Sequence, residues 1–155
     1  MSGKTEIHAE DGRHDLVVTR TFELPVERLF RAYADPELLA QWMGTRVIKL
    51  ANEAPGAYAF QTVDAAGATV FRAHGTIHTF APPRQIVRTF EMTSAGFAPQ
   101  LEFLDFEAVS PTTSRLRMQI VFRSPEDREK QLRLPFAYGL GMAHDRLEQL
   151  LNSAS

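Results

Sequence analysis

Apolar side chains recur along the chain with two different periods, and each change of period marks a new element. From His14 to Phe22 the residues Leu16, Val18 and Phe22 fall on even positions, the period of two expected of a strand with one buried face. Pro25 ends that run, and Val26, Leu29, Phe30 and Tyr33 follow at helical spacing, with the proline suited to a first helical turn. Asp35-Pro36 has the form of an N-cap followed by proline, which predicts a second short helix over Glu37 to Trp42, ending near Gly44.

Turn chemistry then recurs at Pro55-Gly56, Asp64 to Gly67, Pro82-Pro83, Thr93 to Pro99 and Ser110-Pro111, dividing the next hundred residues or so into six strands of a meander. Most of their larger apolar residues are even-numbered: Tyr58 and Phe60, Phe80, Ile86 and Phe90, Leu104 and Phe106, then Leu116, Met118, Ile120 and Phe122. Residues directly opposite each other in a hairpin point to the same side, so this parity predicts one shared inner face. Phe71, Ile77 and Phe103 depart from it. Ser124-Pro125-Glu126-Asp127 opens the last segment with a cap, a proline and two acids at the positive end of the helix dipole. One long helix is expected to run to about Leu151, with Leu132, Phe136, Leu140, Ala143, Leu147 and Leu150 or Leu151 as its apolar stripe. Pro135, Gly139 and Gly141 should bend or thin it. The expected fold class is α+β: a curved antiparallel sheet of about seven strands, two short helices and a long C-terminal helix. Residues 1–13 are expected to be a flexible segment and 14–152 a single domain.

This element order is that of the START-like (SRPBCC) superfamily, also called the helix-grip or birch-pollen-allergen fold. The stretches Arg20 to Tyr33 and Asp35 to Trp42 closely resemble the opening of the bacterial activator-of-heat-shock-protein-90-ATPase-like family. Pro55-Gly56-Ala57-Tyr58, His74-Gly75-Thr76-Ile77, Pro82-Pro83-Arg84 and the ending from Gly141 to Leu151 resemble later parts of it. Three positions depart: Ala57 stands where the family commonly has a second glycine, Met43 where it often has a second tryptophan, and Pro135 interrupts the last helix. The resemblance implies the helix-grip fold. A chaperone as partner follows from the family's name alone, since a fold hosts many functions.

Composition narrows the function classes. With 155 residues, 44% hydrophobic and 23% charged, the chain suits one globular domain. Its net charge of −2 supplies no basic field for a nucleic acid. There is no cysteine, which removes disulfides, thiolate metal sites and a cysteine nucleophile. Met1 to Gly12 lacks the apolar core of a signal peptide, and no apolar run approaches a membrane span, so a cytoplasmic protein is expected.

Candidate chemistry is sparse. His74 and His78 would suggest zinc on a helix, but on a strand they stand about 13 Å apart, so no metal site is expected. Gly139-x-Gly141 lacks the preceding strand and third glycine of a dinucleotide fingerprint, so no cofactor is expected either. Neither a nucleophile elbow nor a phosphate loop occurs.

The informative signal is a set of polar residues in the even, inward register: Arg20, Arg72, His74, Thr76, His78, Arg88 and Glu102. Either they line a wet cavity or the register slips toward the strand ends, because buried charges are costly unless paired or hydrated. The first reading gives a cavity whose polar lining includes Arg72, His74, Arg88 and Glu102, and whose apolar lining is Trp42, Tyr58, Phe60, Phe90, Leu104, Phe106, Phe136 and Leu140. Three arginines against one glutamate point to an anionic group on a small amphipathic or hydrophobic ligand. The alternative is an enzyme of the cyclase, dehydratase or hydrolase type, with His74 or Glu102 as general acid or base and Arg88 orienting an anion. Setting Phe90 opposite Glu102 and Arg88 opposite Leu104 makes Arg88 and Glu102 diagonal neighbours.

Overall fold

The structure, a computed structural model, describes residues 3–93 and 96–153 of the chain. Its strands are β1 (Glu6–His8), β2 (Asp15–Phe22), β3 (Arg46–Leu50), β4 (Gly56–Val63), β5 (Thr69–Ala81), β6 (Gln85–Met92), β7 (Gln100–Ser110) and β8 (Thr113–Val121). Its helices are α1 (Val26–Ala34), α2 (Pro36–Met43), α3 (Pro125–Leu132) and α4 (Phe136–Ser153). These eight strands form one antiparallel sheet in the order β1-β2-β8-β7-β6-β5-β4-β3. The fold is α+β and helix-grip: α1 and α2 bridge from β2 to the far edge at β3, and the long α4 closes the chain. Two residues of the turn expected between Thr93 and Pro99, 94 and 95, lie outside the described residues.

The caps explain where the helices lie. Asp35 stands before Pro36, and its carboxylate accepts from the Glu37 and Leu38 amides at 2.9 and 3.3 Å, satisfying donors that a helix start leaves free. Gly44 closes α2 at φ 67°, a left-handed conformation that glycine adopts without steric cost. Ser124 accepts from the Asp127 amide at 3.1 Å and starts α3.

Three features differ from the sequence reading. Among the described residues the sheet has eight strands, not seven, because Glu6–His8 pairs with Val17 to Thr19 of β2. Three residues of alternating burial are too few to show a period. The last segment is two helices instead of one bent helix. Pro135 brings no backbone N–H, and its ring would clash with the preceding turn, so α3 stops at Leu132 and α4 restarts at Phe136.

The third difference is parity. Even residues face the core on β2, β4, β6, β7 and β8, as in the pairs Leu16↔Ile120, Ile86↔Leu104 and Leu104↔Met118. The hairpin between β4 and β5 instead sets Phe60 opposite Ala73 and Tyr58 opposite Gly75, so the first half of β5 turns odd residues inward. An irregularity between Ile77 and Thr79 restores even parity, with Phe80 opposite Ile86. Ala73 and Ile77 are therefore buried, while Arg72, His74 and His78 are exposed. Gly75 sits where a Cβ would lie 2.0 Å from the Thr89 carbonyl oxygen and 2.7 Å from the Tyr58 hydroxyl. A side chain there would drive the two strands apart.

Candidate functional site

Between the sheet and the two C-terminal helices lies a cavity of about 560 Å³, within the usual range for a small-molecule site. Its sheet wall is Phe71, Arg88, Phe90, Met92, Gln100, Glu102, Met118 and Ile120. Tyr33, Trp42 and Met43 close one side, and Gln131, Leu134, Pro135, Phe136, Gly139, Leu140 and Ala143 form the roof. The break at Pro135 shapes this roof, because it lets α4 start above the cavity instead of continuing the line of α3.

Of the residues expected from the sequence, Trp42, Arg88, Phe90, Glu102, Phe136 and Leu140 line the cavity. Tyr58, Phe60, Leu104 and Phe106 do not; they are buried core residues on the same face of the sheet. Phe106 packs against Phe30 and Tyr33, with ring centroids 5.0 and 5.4 Å apart. Arg72 and His74 face outward, a consequence of the odd register of β5, and His74 Nε2 lies 3.6 Å from the Glu91 carboxylate on that outer face. His74 is thus out of reach of anything in the cavity, which removes it as a general acid or base there. Among the described residues no three His, Asp or Glu side chains gather in a group that could hold a metal ion. No helix of the described residues is long and apolar enough to cross a membrane.

Arg88 and Glu102 stand directly opposite each other, one pair along from the diagonal arrangement expected. Arg88 Nε donates to Glu102 Oε1 at 2.9 Å, and Gln100 Nε2 donates to Glu102 Oε2 at 2.8 Å. The Arg88 and Glu102 side chains are only 12% and 6% exposed. Burial disfavours the cation, but Tyr58 and Glu102 more than offset it and hold the Arg88 pKa above its ordinary value. The guanidinium also lies over the Tyr58 ring, 5.3 Å from its centroid, and the Tyr58 hydroxyl is in turn tied to the Thr89 carbonyl. Tyr58 therefore supports the polar end of the cavity from behind.

The arginine excess read from the sequence is not in the cavity. Arg72 is on the outer face, and Arg20 is buried elsewhere, 2.8 Å from Asp145 and 3.7 Å from Glu148. Among the described residues only Arg88 and Glu102 bring full charges to the lining. Gln100 and Gln131 were missed. Gln100 shares the even parity of Glu102 on β7 and could have been found by extending that register by two. Gln131 falls outside the apolar stripe of its helix, where a polar residue reads as solvent-facing, yet it is only 6% exposed.

Residues 23–152 match the family model described as Activator of Hsp90 ATPase homolog 1-like protein. No curated protein matches the chain. Among solved structures, a Rhodobacter sphaeroides protein superposes with a TM-score of 0.83 at 21% identity, over 96% of this chain and 99% of the other. One from Mycobacterium smegmatis does so at 0.83 and 19% identity, over 100% of both chains. One from Arthrobacter aurescens reaches 0.85 at 14% identity, over 96% of this chain and 91% of the other. At these identities the likeness is one of fold.

Proposed function

The chain belongs to the Activator of Hsp90 ATPase homolog 1-like protein family, and from that premise we propose that it binds a small, largely apolar organic molecule between its sheet and α4. The observation that carries this reading is a cavity of about 560 Å³ whose walls are mostly aromatic and aliphatic, with one polar cluster, Arg88, Glu102 and Gln100, fixed at the sheet. Such a site binds through desolvation of apolar surface and orients its ligand through a few placed polar groups. Family membership and fold both support a hydrophobic-ligand-binding domain. A reaction in the cavity has less support: among the described residues its one carboxylate, Glu102, is already held by Arg88 and Gln100.

Gly139 provides the test. It lines the cavity, and a Cβ built on it meets nothing within 4 Å. Gly139 is also exposed, so replacing it with leucine should stabilise α4 by up to about 1 kcal/mol, since glycine is a poor helix former, and the new side chain can fold over the cavity. Native mass spectrometry of protein purified without detergent is expected to show a retained small molecule in the parent protein and none in Gly139→Leu. The variant should also melt at a higher temperature and bind the neutral apolar dye N-phenyl-1-naphthylamine more weakly. A raised melting temperature with unchanged dye affinity would mean that the leucine at this exposed position turns to solvent, and Ala143→Phe, at a half-buried position of the same roof, then decides: unchanged dye affinity there would place ligand binding away from this cavity.

A further inference from the structure

We propose, on the reading that the cavity is a ligand site, that its occupant is a neutral molecule: an apolar body with a carbonyl-type acceptor for Arg88. Charge balance comes first. Among the described residues the lining holds one cation and one anion, and they are bound to each other at 2.9 Å. A carboxylate brought into this space would leave one uncompensated negative charge among apolar walls, and an ammonium would leave one positive charge. Either is costly where little water remains to solvate it.

Unused hydrogen-bonding capacity supplies the second step. Arg88 engages Glu102 only through Nε, and its two terminal nitrogens have no partner among the described residues. These donors call for an acceptor, and a neutral carbonyl oxygen satisfies them without disturbing the charge balance. Gln131 lines the same cavity from α3, but its Oε1 is closed off from the open space and gives a ligand no acceptor.

The test is displacement of N-phenyl-1-naphthylamine by two ten-carbon competitors at pH 7.5: decanoate and 2-decanone. In the parent protein 2-decanone is expected to bind at least about tenfold more tightly than decanoate. Glu102→Gln removes the counter-charge of Arg88, so decanoate should gain about tenfold there while 2-decanone changes little. Decanoate binding the parent protein as tightly as 2-decanone, or gaining nothing from Glu102→Gln, would overturn the neutral-ligand assignment while leaving the cavity a ligand site. Dye binding indifferent to both Gly139→Leu and Ala143→Phe would instead overturn the ligand site itself, and this assignment with it. Should Glu102→Gln fail to fold, the ranking of ketone over carboxylate in the parent protein decides alone.

Discussion

Arg88→Met is expected to lower folding stability by about 3 kcal/mol, and adding Glu102→Gln to recover most of that loss. Methionine fills much of the arginine volume and can keep contact with the Tyr58 ring, so the cost is electrostatic more than steric. The single replacement leaves the Glu102 carboxylate only 6% exposed with Gln100 Nε2, at 2.8 Å, as its one remaining side-chain partner. Removing one member of a buried ion pair leaves an unpaired charge, whereas removing both is often nearly neutral. In the double variant the Gln100 amide can turn to meet the amide introduced on the neighbouring inward position of β7. Urea denaturation of the parent protein, both single variants and the double variant gives the coupling energy directly. Additive, nearly neutral single variants would mean that the pair contributes nothing to the cavity wall.

That pair also shows how far the sequence could be read. Even parity correctly put Arg88 and Glu102 on the inner face, because the hairpin between β6 and β7 and that between β7 and β8 pair even residues with even ones. The exact register was off by one pair, since apolar parity repeats every two residues and cannot distinguish shifts of two. On β5 the rule failed because parity passes from strand to strand only if the connecting hairpin preserves it. The β4–β5 hairpin includes a register shift at Thr62 and Val63 and opposes even with odd residues. Phe71 and Ile77, the two apolar residues that broke the rule on this strand, were the visible sign of that flip. Taking them as the inner face would have sent Arg72 and His74 outward at once.

Helices were more legible than the cavity. Asp35-Pro36, Gly44 and Ser124-Pro125 mark boundaries by local chemistry that needs no distant partner. A cavity is defined by what fails to fill it, and no periodicity reports that. Tyr58, Phe60, Leu104 and Phe106 have the same parity and character as Phe90, yet the α1 rings of Phe30 and Tyr33 cover Phe106, while the space above Phe90 stays open. The site follows from where α1 and α4 lie over the sheet, and a strand's own sequence does not contain that information.

A second large effect is expected on acidification: the parent protein should lose roughly 1.4 kcal/mol of stability per pH unit below 6.5 through His144 alone. His144 is fully buried, with the Phe22 ring 5.4 Å away at an edge-on angle and Trp42 at 6.4 Å. Its Nδ1 lies 2.7 Å from the Thr5 hydroxyl, and its Nε2 3.5 Å from that of Tyr33. Arg20 Nη1 donates to Thr5 at 3.4 Å, which favours Thr5 donating its own proton to Nδ1 and leaves Nε2–H facing Tyr33. Burial, reinforced by the Arg20 charge and only partly opposed by Asp145, pushes the His144 pKa from 6.5 down to about 3.

Above pH 6.5 the imidazole is neutral in both states and stability is independent of it. Between 6.5 and about 3 the unfolded chain binds a proton that the native protein refuses, so stability falls as pH falls. Below about 3 both states bind it and the loss levels off. Asp15 behaves differently: hydrogen bonds from Arg13 and Gln119 hold its carboxyl down to about 2, so its contribution is present above the ordinary 3.8 and fades only below that. Comparing pH 7.5 with pH 4.5 therefore spans the His144 range and stays above that of Asp15, with an expected His144 contribution of about 2.7 kcal/mol. A glutamine in its place can accept from Thr5 and donate to Tyr33 without titrating. His144→Gln should be less stable than the parent protein at pH 7.5, having lost the ring contacts, but flatter between the two pH values by most of that 2.7 kcal/mol, or about two pH units' worth. Urea denaturation at both pH values decides it, and equal pH dependence in the two proteins would show that the buried histidine does not set the acid limit of the fold.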